Sequence, residues 1–261
     1  MIFDTHIHLN SEVYKDNLNE LLLKAKDKGV NLFNCVGYDL ESSIEAVNIA
    51  NNFPNVYATI GLIPTEHKKW NDNTINELKE LYFKNKKIIA IGEIGLDYYW
   101  EKDPIIKEKQ KEIFIKQIEL ANELNLPISI HARDSLNDVL EILKTVKCKN
   151  TGVLHCFSGS KEQAREFIKL GYKIAFGGVL TFKNSVKTKE VLLDIDLENI
   201  VFETDAPYLA PTPYRGKINL PEYIFNVVQE ASLLKKVDFK ELSKITYENS
   251  LKIFHVKSYE D

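Results

Sequence analysis

Short apolar runs, rich in β-branched residues, alternate with longer amphipathic stretches along the chain. A short apolar run bounded by turn residues is typical of a buried strand, and apolar residues at helical spacing indicate a helix with one face against a core. The pattern therefore predicts eight strand–helix units around a parallel sheet. The predicted strands are residues 2–8, 31–36, 56–61, 88–93, 127–131, 152–156, 172–177 and 200–205.

The helical pattern is clearest over residues 105–125, where Ile113, Phe114 and Ile118 belong to one apolar stripe among charged residues. We expect Pro127 to end this helix. Eight strand–helix units favour an α/β fold of the TIM (β/α)8 barrel class over an open doubly wound sheet. A helix over residues 238–254 then follows as an extra C-terminal element. The chain lacks a linker or a low-complexity segment, so a single domain over residues 1–261 is expected.

Composition narrows the class of protein. Hydrophobic residues make up 44% and charged residues 28% of the chain, and no apolar run approaches the roughly 20 residues that span a bilayer. No secretory signal is visible, so a cytoplasmic protein without a membrane partner is expected. The three cysteines have no CxxC spacing, which argues against a disulfide framework or a thiolate zinc site. A net charge of −4 gives no electrostatic footprint for tight binding of duplex DNA. No obligate protein partner is evident.

The first predicted strand carries the stretch FDTHIHL. Because side chains alternate along a strand, Asp4, His6 and His8 are expected on one face. In a barrel this face can point to the mouth, where the two imidazoles would bind a metal ion and Asp4 would orient a ligand from a deeper position. The alternative is a pair of hydrogen-bonded histidines without a metal. The HxH spacing alone does not decide between them.

Four other candidate ligands stand at predicted strand ends: Glu93, His131, His155 and Asp205. Singly, each has a plain structural explanation as a capping, solvated or hydrogen-bonded side chain. Together they predict a metal site, because the carboxyl ends of barrel strands converge on one mouth. Six ligands exceed one tetrahedral ion and suit two divalent ions that share a carboxylate. We assign His6, His8 and Asp205 to one ion, His131 and His155 to the other, and Glu93 as the bridge. Mixed imidazole and carboxylate ligands admit Zn²⁺, Mn²⁺, Fe²⁺ or Mg²⁺.

Six segments together resemble the TatD family of metal-dependent deoxyribonucleases, within the amidohydrolase superfamily. They are FDTHIHL, GEIGLDYYW, PISIHARDS, VLHCFSGS, ETDAPYLAP and YRGKINLP. The resemblance extends from Met1 to about Phe254 and implies a TIM-barrel hydrolase with a two-metal site that acts on DNA phosphodiesters. The chain departs from the family pattern at Ile63, where a histidine is common, and at Ile218 and Leu220. These departures concern substrate contacts.

The expected mechanism uses Glu93 and Asp205 as catalytic residues. Asp205 would act as the general base toward a water molecule that attacks phosphorus. Glu203 lies deeper on the same strand and is expected to support the ligands from behind. The alternative for Glu203 is a buried carboxylate paired with a lysine.

Substrate contacts are predicted at Arg133, Tyr208, Arg215 and Lys217. Only three arginines occur in the chain, and a guanidinium grips phosphate with two hydrogen bonds. The aromatic residues 98–100 and Tyr208 could stack unpaired bases. For residues 98–100 the alternative is packing of the loop on the barrel rim.

We therefore expect an exonuclease-like deoxyribonuclease acting on single-stranded or frayed DNA ends. Two alternatives remain at this point. The same metal pair could hydrolyse another ester or amide, such as an aminoacyl-tRNA ester or a small cyclic compound, because the fold does not select the substrate. A catalytically silent barrel that serves as a binding scaffold is the other.

Overall fold

The computed structural model describes residues 1–257, and residues 258–261 of the predicted domain lie outside the described part. Within residues 1–257, eight parallel strands pair in sequence order. The strands are β1 Ile2–Ile7, β2 Val30–Val36, β3 Val56–Ile60, β4 Ile88–Asp97, β5 Ile128–Arg133, β6 Gly152–Leu154, β7 Lys173–Phe176 and β8 Ile200–Phe202. The helices are α1 Leu18–Asp27, α2 Leu40–Asn52, α3 Thr74–Lys84, α4 Pro104–Leu124, α5 Leu136–Thr145, α6 Lys161–Lys169, α7 Val186–Asp194, α8 Ile224–Lys235 and α9 Phe239–Ile253.

The first and last strands meet through the backbone that follows β8. The Asp205 N–H donates to the His6 carbonyl at 2.9 Å, and the His8 N–H donates to the Ala206 carbonyl at 2.9 Å. These bonds bring β1 beside the extension of β8 and make the sheet a nearly closed barrel with helices between its strands. The predicted TIM (β/α)8 barrel is confirmed.

The helices bury their apolar faces against the outside of the sheet. In α4, Ile113, Phe114 and Ile118 are all buried in this layer. The helix begins after Asp103, whose side chain accepts the Ile105 N–H at 2.8 Å as an N-cap. It ends at Leu124 because the next residue, Asn125, adopts a left-handed conformation with φ 57°. The predicted helix over residues 105–125 is confirmed, and Pro127 stands two residues beyond its cap.

The extra C-terminal helix is confirmed, and it closes the amino end of the barrel. Phe3 and Val201, near the starts of β1 and β8, belong to one apolar cluster with Tyr247 and Phe254. The Phe3 and Phe254 rings lie 5.9 Å apart between centroids. Because α9 covers this end, access to the barrel interior is from the carboxyl ends of the strands.

Four strands, β4, β5, β6 and β8, end two or more residues from the predicted positions. β4 continues beyond residue 93 and pairs with β5 as far as Asp97 opposite Arg133. β6 and β8 end before His155 and Asp205, which lie in the following loops. Cys156 (φ 47°) and Asp205 (φ 54°) adopt left-handed conformations, which a strand cannot contain. The carboxyl ends of these strands are therefore sharp turns.

No helix within residues 1–257 combines the length and the apolar character needed to cross a membrane. The three cysteines are all unpaired. Cys35 and Cys148 are buried as expected of small apolar residues, whereas Cys156, beside His155, is partly exposed.

Candidate metal centre

Glu93 lies at the centre of four histidines from three parts of the barrel. One oxygen, Oε2, is 3.4 Å from His6 Nε2 and 3.9 Å from His8 Nε2. The other, Oε1, is 2.8 Å from His131 Nδ1 and 3.7 Å from His155 Nε2. Residues that are far apart in the sequence are thus brought into contact by the strand ends of one barrel mouth, as the strand pattern predicts.

Asp205 completes the group on the side of β1. Its Oδ1 atom is 3.5 Å from His8 Nε2, 3.9 Å from His6 Nε2 and 4.0 Å from His155 Nε2. The left-handed backbone at Asp205 turns this carboxylate back over the mouth. All six predicted ligands therefore meet in one place.

Within residues 1–257, four groups of possible ligand atoms lie close together, and two of them share Glu93. The other two are His6, His155 and Glu203, and His155, Cys156 and Asp205. His6, His8 and Glu93 offer atoms within 4.8 Å of one another, and so do Glu93, His131 and His155. This grouping has the same shared carboxylate as the division of ligands expected from the sequence. The number of ions and the assignment of each ligand stay predictions.

One atom at the centre supports a cation there. His6 Nε2 is buried and has no hydrogen-bond partner within residues 1–257, although it lies among carboxylates. A buried nitrogen without a partner loses the free energy of a hydrogen bond, and coordination of a metal ion would restore a partner. The imidazole and carboxylate donors fit a divalent transition ion.

The carboxylates at the centre favour the ionised form. Burial opposes ionisation of Glu93, but the neighbouring His155, His131 and His6 hold its pKa well below the usual range. The pKa of Asp205 is lowered in the same way, against the effect of burial, mainly by His155 and His8. Two ionised carboxylates in a buried site attract a cation.

Partners behind the rings fix their orientation. The His8 Nδ1–H donates to the Val36 carbonyl at 2.9 Å, which leaves Nε2 to face Glu93 and Asp205. The His6 Nδ1 atom lies 3.4 Å from the Ser129 hydroxyl. Such outer contacts hold a histidine ligand in the tautomer and the orientation that a metal requires.

Glu203 is in the supporting position expected from the sequence. It is fully buried, its Oε1 lies 3.1 Å from His155 Nδ1, and it accepts the Cys156 N–H at 2.7 Å. Within residues 1–257, no lysine lies within ion-pair distance of it, so the alternative of a lysine-paired carboxylate is wrong. Burial opposes a charge on His155, but Glu203, Asp205 and Glu93 outweigh burial and raise its pKa to about 10.

Asp4 contacts backbone groups instead of an imidazole. Its fully buried carboxylate accepts the Thr204 N–H at 2.9 Å, the Thr204 hydroxyl at 2.7 Å and the His6 N–H at 3.3 Å. The register of β1 shifts between Asp4 and Ile7. His6 and His8 nevertheless face the same two carboxylates, as the alternation predicts. Asp4 holds the backbone that carries His6 and Asp205.

Asp97 is a residue that the sequence analysis missed. Its Oδ2 atom lies 2.9 Å from His131 Nε2, on the ring edge opposite Glu93. The segment IGLD directly after Glu93 contains the signal, because these four residues extend the same strand. Because the predicted strand ends at Glu93, the sequence pattern does not place Asp97 at the site.

The predicted substrate contacts lie on the rim of the mouth. Arg133 ends β5, is exposed, and places its guanidinium carbon 3.8 Å from the centroid of the Tyr99 ring. Arg215 is exposed in the loop after β8, 4.4 Å from the centroid of the Phe182 ring. Within residues 1–257, no carboxylate lies within 4.0 Å of either guanidinium. The third arginine, Arg165, instead pairs with Asp194 between α6 and α7.

Tyr208 and Lys217 are the other predicted contacts, and both are exposed. The Tyr208 ring meets the His8 ring edge to face, with centroids 5.9 Å apart, and Tyr38 meets the same imidazole from 5.8 Å. Tyr208 therefore adjoins the metal centre. Lys217 lies in the same loop as Arg215, and the Lys217 backbone N–H donates to the Tyr214 carbonyl at 3.0 Å.

Comparisons with known proteins agree with this geometry. The sequence family described as TatD related DNase matches residues 3–255. The uncharacterized metal-dependent hydrolase YabD of Bacillus subtilis is 42% identical over 257 residues, covering 98% of this chain and 100% of that protein. The uncharacterized metal-dependent hydrolase YcfH of Escherichia coli K12 is 33% identical, covering 98% of this chain and 96% of that protein. The crystal structure of YJJV, a TatD homologue from Escherichia coli K12, superposes with a TM-score of 0.93 and 29% identity, covering 98% of both chains. The chain belongs to the TatD family.

Proposed function

We propose that this protein is a metal-dependent hydrolase that cleaves DNA phosphodiester bonds, with exonuclease-like action on single-stranded or frayed ends. The observation that carries the proposal is the convergence of four imidazoles on the two oxygens of Glu93. The family match and the curated metal-dependent hydrolases support the hydrolase class. The choice of DNA as the substrate rests on the family resemblance and on the rim of the mouth.

The proposed cofactors are two divalent ions, with Glu93 shared between them. His6, His8 and Asp205 would hold one ion, and His131 and His155 the other. Bound there, the ions would supply positive charge to neutralise the phosphate and to lower the pKa of an attacking water molecule.

Asp205 is the proposed general base. Its side chain is slightly exposed at the mouth, so a water molecule can approach it. The lowered pKa of Asp205 keeps the carboxylate ionised at neutral pH and able to accept a proton. Asp205 would then hold the proton as the water oxygen attacks phosphorus and a sugar oxygen leaves.

Arg133 and Arg215 are the proposed phosphate contacts. Each is exposed on the rim, and each stacks on an aromatic ring without a carboxylate partner within residues 1–257. Stacking fixes the plane of a guanidinium while its N–H groups stay free for the oxygens of a phosphate. Lys217 adds a further positive charge on the same rim, and Tyr208 a ring beside His8. We also propose a cytoplasmic location, in which the three unpaired cysteines stay reduced.

The test is hydrolysis of a 5′- or 3′-labelled single-stranded oligonucleotide with Mn²⁺, Mg²⁺ or Zn²⁺, beside an ester panel that includes an aminoacyl ester. We expect metal-dependent loss of nucleotides from one end. Asp205→Asn should lower kcat by at least about 100-fold, because it removes the proposed base. Turnover of an ester with intact DNA would overturn the choice of substrate. The absence of turnover on every substrate, with metal bound, would instead support a binding barrel.

A further inference from the structure

We propose that Asp97 is a positioning residue that holds His131 and the neighbouring aromatic turn with one carboxylate. We further infer that this turn, Tyr99 and Trp100, forms with Arg133 the seat of an unpaired nucleobase next to the scissile phosphate. The second statement rests on the proposed action on nucleic acid. The first concerns only the metal centre.

Each oxygen of Asp97 has its own task. Oδ2 lies 2.9 Å from His131 Nε2, whereas Oδ1 accepts the backbone N–H groups of Tyr99 at 2.9 Å and of Trp100 at 3.0 Å. The side chain is almost fully buried, so water does not compete for these bonds. Asp97 therefore fixes a ligand on one side and a turn on the other.

Asp97 is itself held in place by α4. Its backbone N–H donates at 3.0 Å to the side chain of Gln110, a fully buried residue. The Gln110 amide in turn donates to the Pro64 carbonyl at 3.3 Å. The carboxylate thus projects from a rigid support, as a residue that positions others requires.

The His131 ring has a carboxylate at each of its two nitrogens. Its Nδ1 lies 2.8 Å from Glu93 and its Nε2 2.9 Å from Asp97, so the ring is held between two carboxylates. Without Asp97, one edge of this ring has no charged partner. Loss of a partner behind a metal ligand lowers metal affinity or activity by about 10- to 100-fold.

The aromatic turn is exposed at the mouth. Tyr99 is 45% exposed and Trp100 is 68% exposed, and their rings meet edge to face with centroids 4.9 Å apart. The Arg133 guanidinium carbon lies 3.8 Å from the Tyr99 centroid and 5.5 Å from the Trp100 centroid. The three side chains form one exposed, cationic aromatic surface at the end of the strand that carries His131.

Tyr98 shows how a packed aromatic residue in this segment differs. Its ring is partly buried against the core, and its hydroxyl donates to Asp138 at 2.8 Å. Packing on the barrel rim, the alternative stated above, describes Tyr98 but does not describe Tyr99 and Trp100. Exposed rings beside an arginine are the combination that binds unpaired bases in proteins of single-stranded nucleic acid.

Two oligonucleotides test the base seat. Both are single-stranded and of equal length, and one carries abasic sites in place of its terminal nucleobases. Tyr99→Ala should raise KM by about tenfold for the base-bearing strand, the loss expected for one stacked base, and leave KM for the abasic strand unchanged. Phe83→Ala is the matched control, because Phe83 is an aromatic residue that is 73% exposed near the C-terminal end of α3. Equal KM changes on both strands would overturn the base seat.

The bonds of Asp97 to His131 and to the aromatic turn form a tether, and two substitutions of Asp97 test it. Asp97→Asn keeps an oxygen for the Tyr99 and Trp100 N–H groups but loses the charge beside His131. It should lower kcat at least about tenfold on both strands with little change in KM. Asp97→Ala should lower kcat and also raise KM for the base-bearing strand. A purely structural role would lower the melting temperature of Asp97→Asn and change KM together with kcat. An unchanged kcat in Asp97→Asn would overturn the tether.

A simple phosphodiester separates the two proposals. Bis(4-nitrophenyl) phosphate presents the reacting group without a nucleotide, so wild-type turnover of this compound with no cleavage of either strand would reject DNA and the base seat together. The tether is then decided by kcat of Asp97→Asn on that compound. If Asp97→Ala does not fold, Asp97→Asn and Tyr99→Ala still decide both statements.

Discussion

Thr204 donates two hydrogen bonds to the carboxylate of Asp4, one from its backbone N–H at 2.9 Å and one from its hydroxyl at 2.7 Å. The same carboxylate accepts the His6 N–H at 3.3 Å. One buried acid near the start of the chain therefore sets the spacing between His6 and Asp205, the residue after Thr204.

The Thr204 hydroxyl should contribute measurably to stability. Thr204→Val keeps the shape of the side chain but leaves the Asp4 oxygen and the Ala206 N–H, which bonds the hydroxyl at 3.1 Å, without partners. We expect the free energy of unfolding in urea to fall by about 1 to 3 kcal/mol. Thr204→Ser retains the hydroxyl and serves as the control. A valine variant as stable as the wild type would contradict this account.

Asn219 should hold the backbone on both sides of Asp205. Its fully buried side-chain amide donates to the Thr204 carbonyl at 2.8 Å and to the Tyr208 carbonyl at 2.7 Å, on either side of Asp205. Asn219→Ala removes both donors, so we expect a loss of about 1 to 3 kcal/mol of stability and a lower kcat on any substrate that turns over. Asn76→Ala, at an exposed position of α3, is the control. Full activity in Asn219→Ala would show that Asp205 does not need this support.

The number of bound metal ions should show whether the six predicted ligands form two sites. We expect two divalent ions per wild-type chain and about one in either His8→Ala or His131→Ala, since each substitution removes a ligand from a different group. Elemental analysis after dialysis measures this ratio. A chelator should abolish turnover and lower the melting temperature, because ions that bind only the folded chain stabilise it. Retention of a single ion in all three proteins would refute the division.

Phe254 should contribute strongly to the stability of the amino end of the barrel. It is buried in the cluster of Phe3 and Tyr247, where α9 closes the amino end. Phe254→Ala should lower the free energy of unfolding by about 3 to 5 kcal/mol, the usual cost of deleting a buried ring. Well below its melting temperature the variant should keep its KM, because the mouth is at the opposite end. Phe83→Ala, on an exposed ring, should be neutral.

The sequence predicts the barrel and the six converging ligands because both follow from local rules. Alternation of short apolar runs with amphipathic stretches fixes the order of strands and helices, and parallel strands necessarily bring Glu93, His131 and the other strand-end residues to one mouth. Neither step requires knowledge of side-chain contacts. For the same reason the supporting position of Glu203 could be expected from its place below Asp205.

The missed features arise where distant segments determine local backbone. β1 is irregular beside Asp4, whose carboxylate is bonded to Thr204. The left-handed residue Asp205 is bonded through its N–H to the His6 carbonyl of β1. Asp97 was missed because the pairing that extends β4 comes from Arg133 of β5. Apolar patterning does not encode these contacts, since the residues involved are polar and sit beyond the regular part of each strand.

Asp39, at the start of α2, should make the free energy of unfolding depend on pH. It caps this helix by accepting the Ser42 N–H at 2.8 Å, and Lys69 donates to its other oxygen. Burial opposes its ionisation, but the bonds from Lys69 and Ser42 hold its pKa below the usual range. A carboxyl whose pKa is lowered by folding stabilises the protein above its unfolded pKa of about 4, and this contribution disappears as the pH falls through the lower folded value. Asp39→Ala should therefore cost about 1 to 2 kcal/mol near pH 7 and less near pH 3, measured by urea unfolding. Asp39→Asn retains an N-cap oxygen that does not titrate, so its deficit should be smaller at pH 7. A cost for Asp39→Ala that is the same at both pH values would mean that the carboxylate charge does not contribute to the cap.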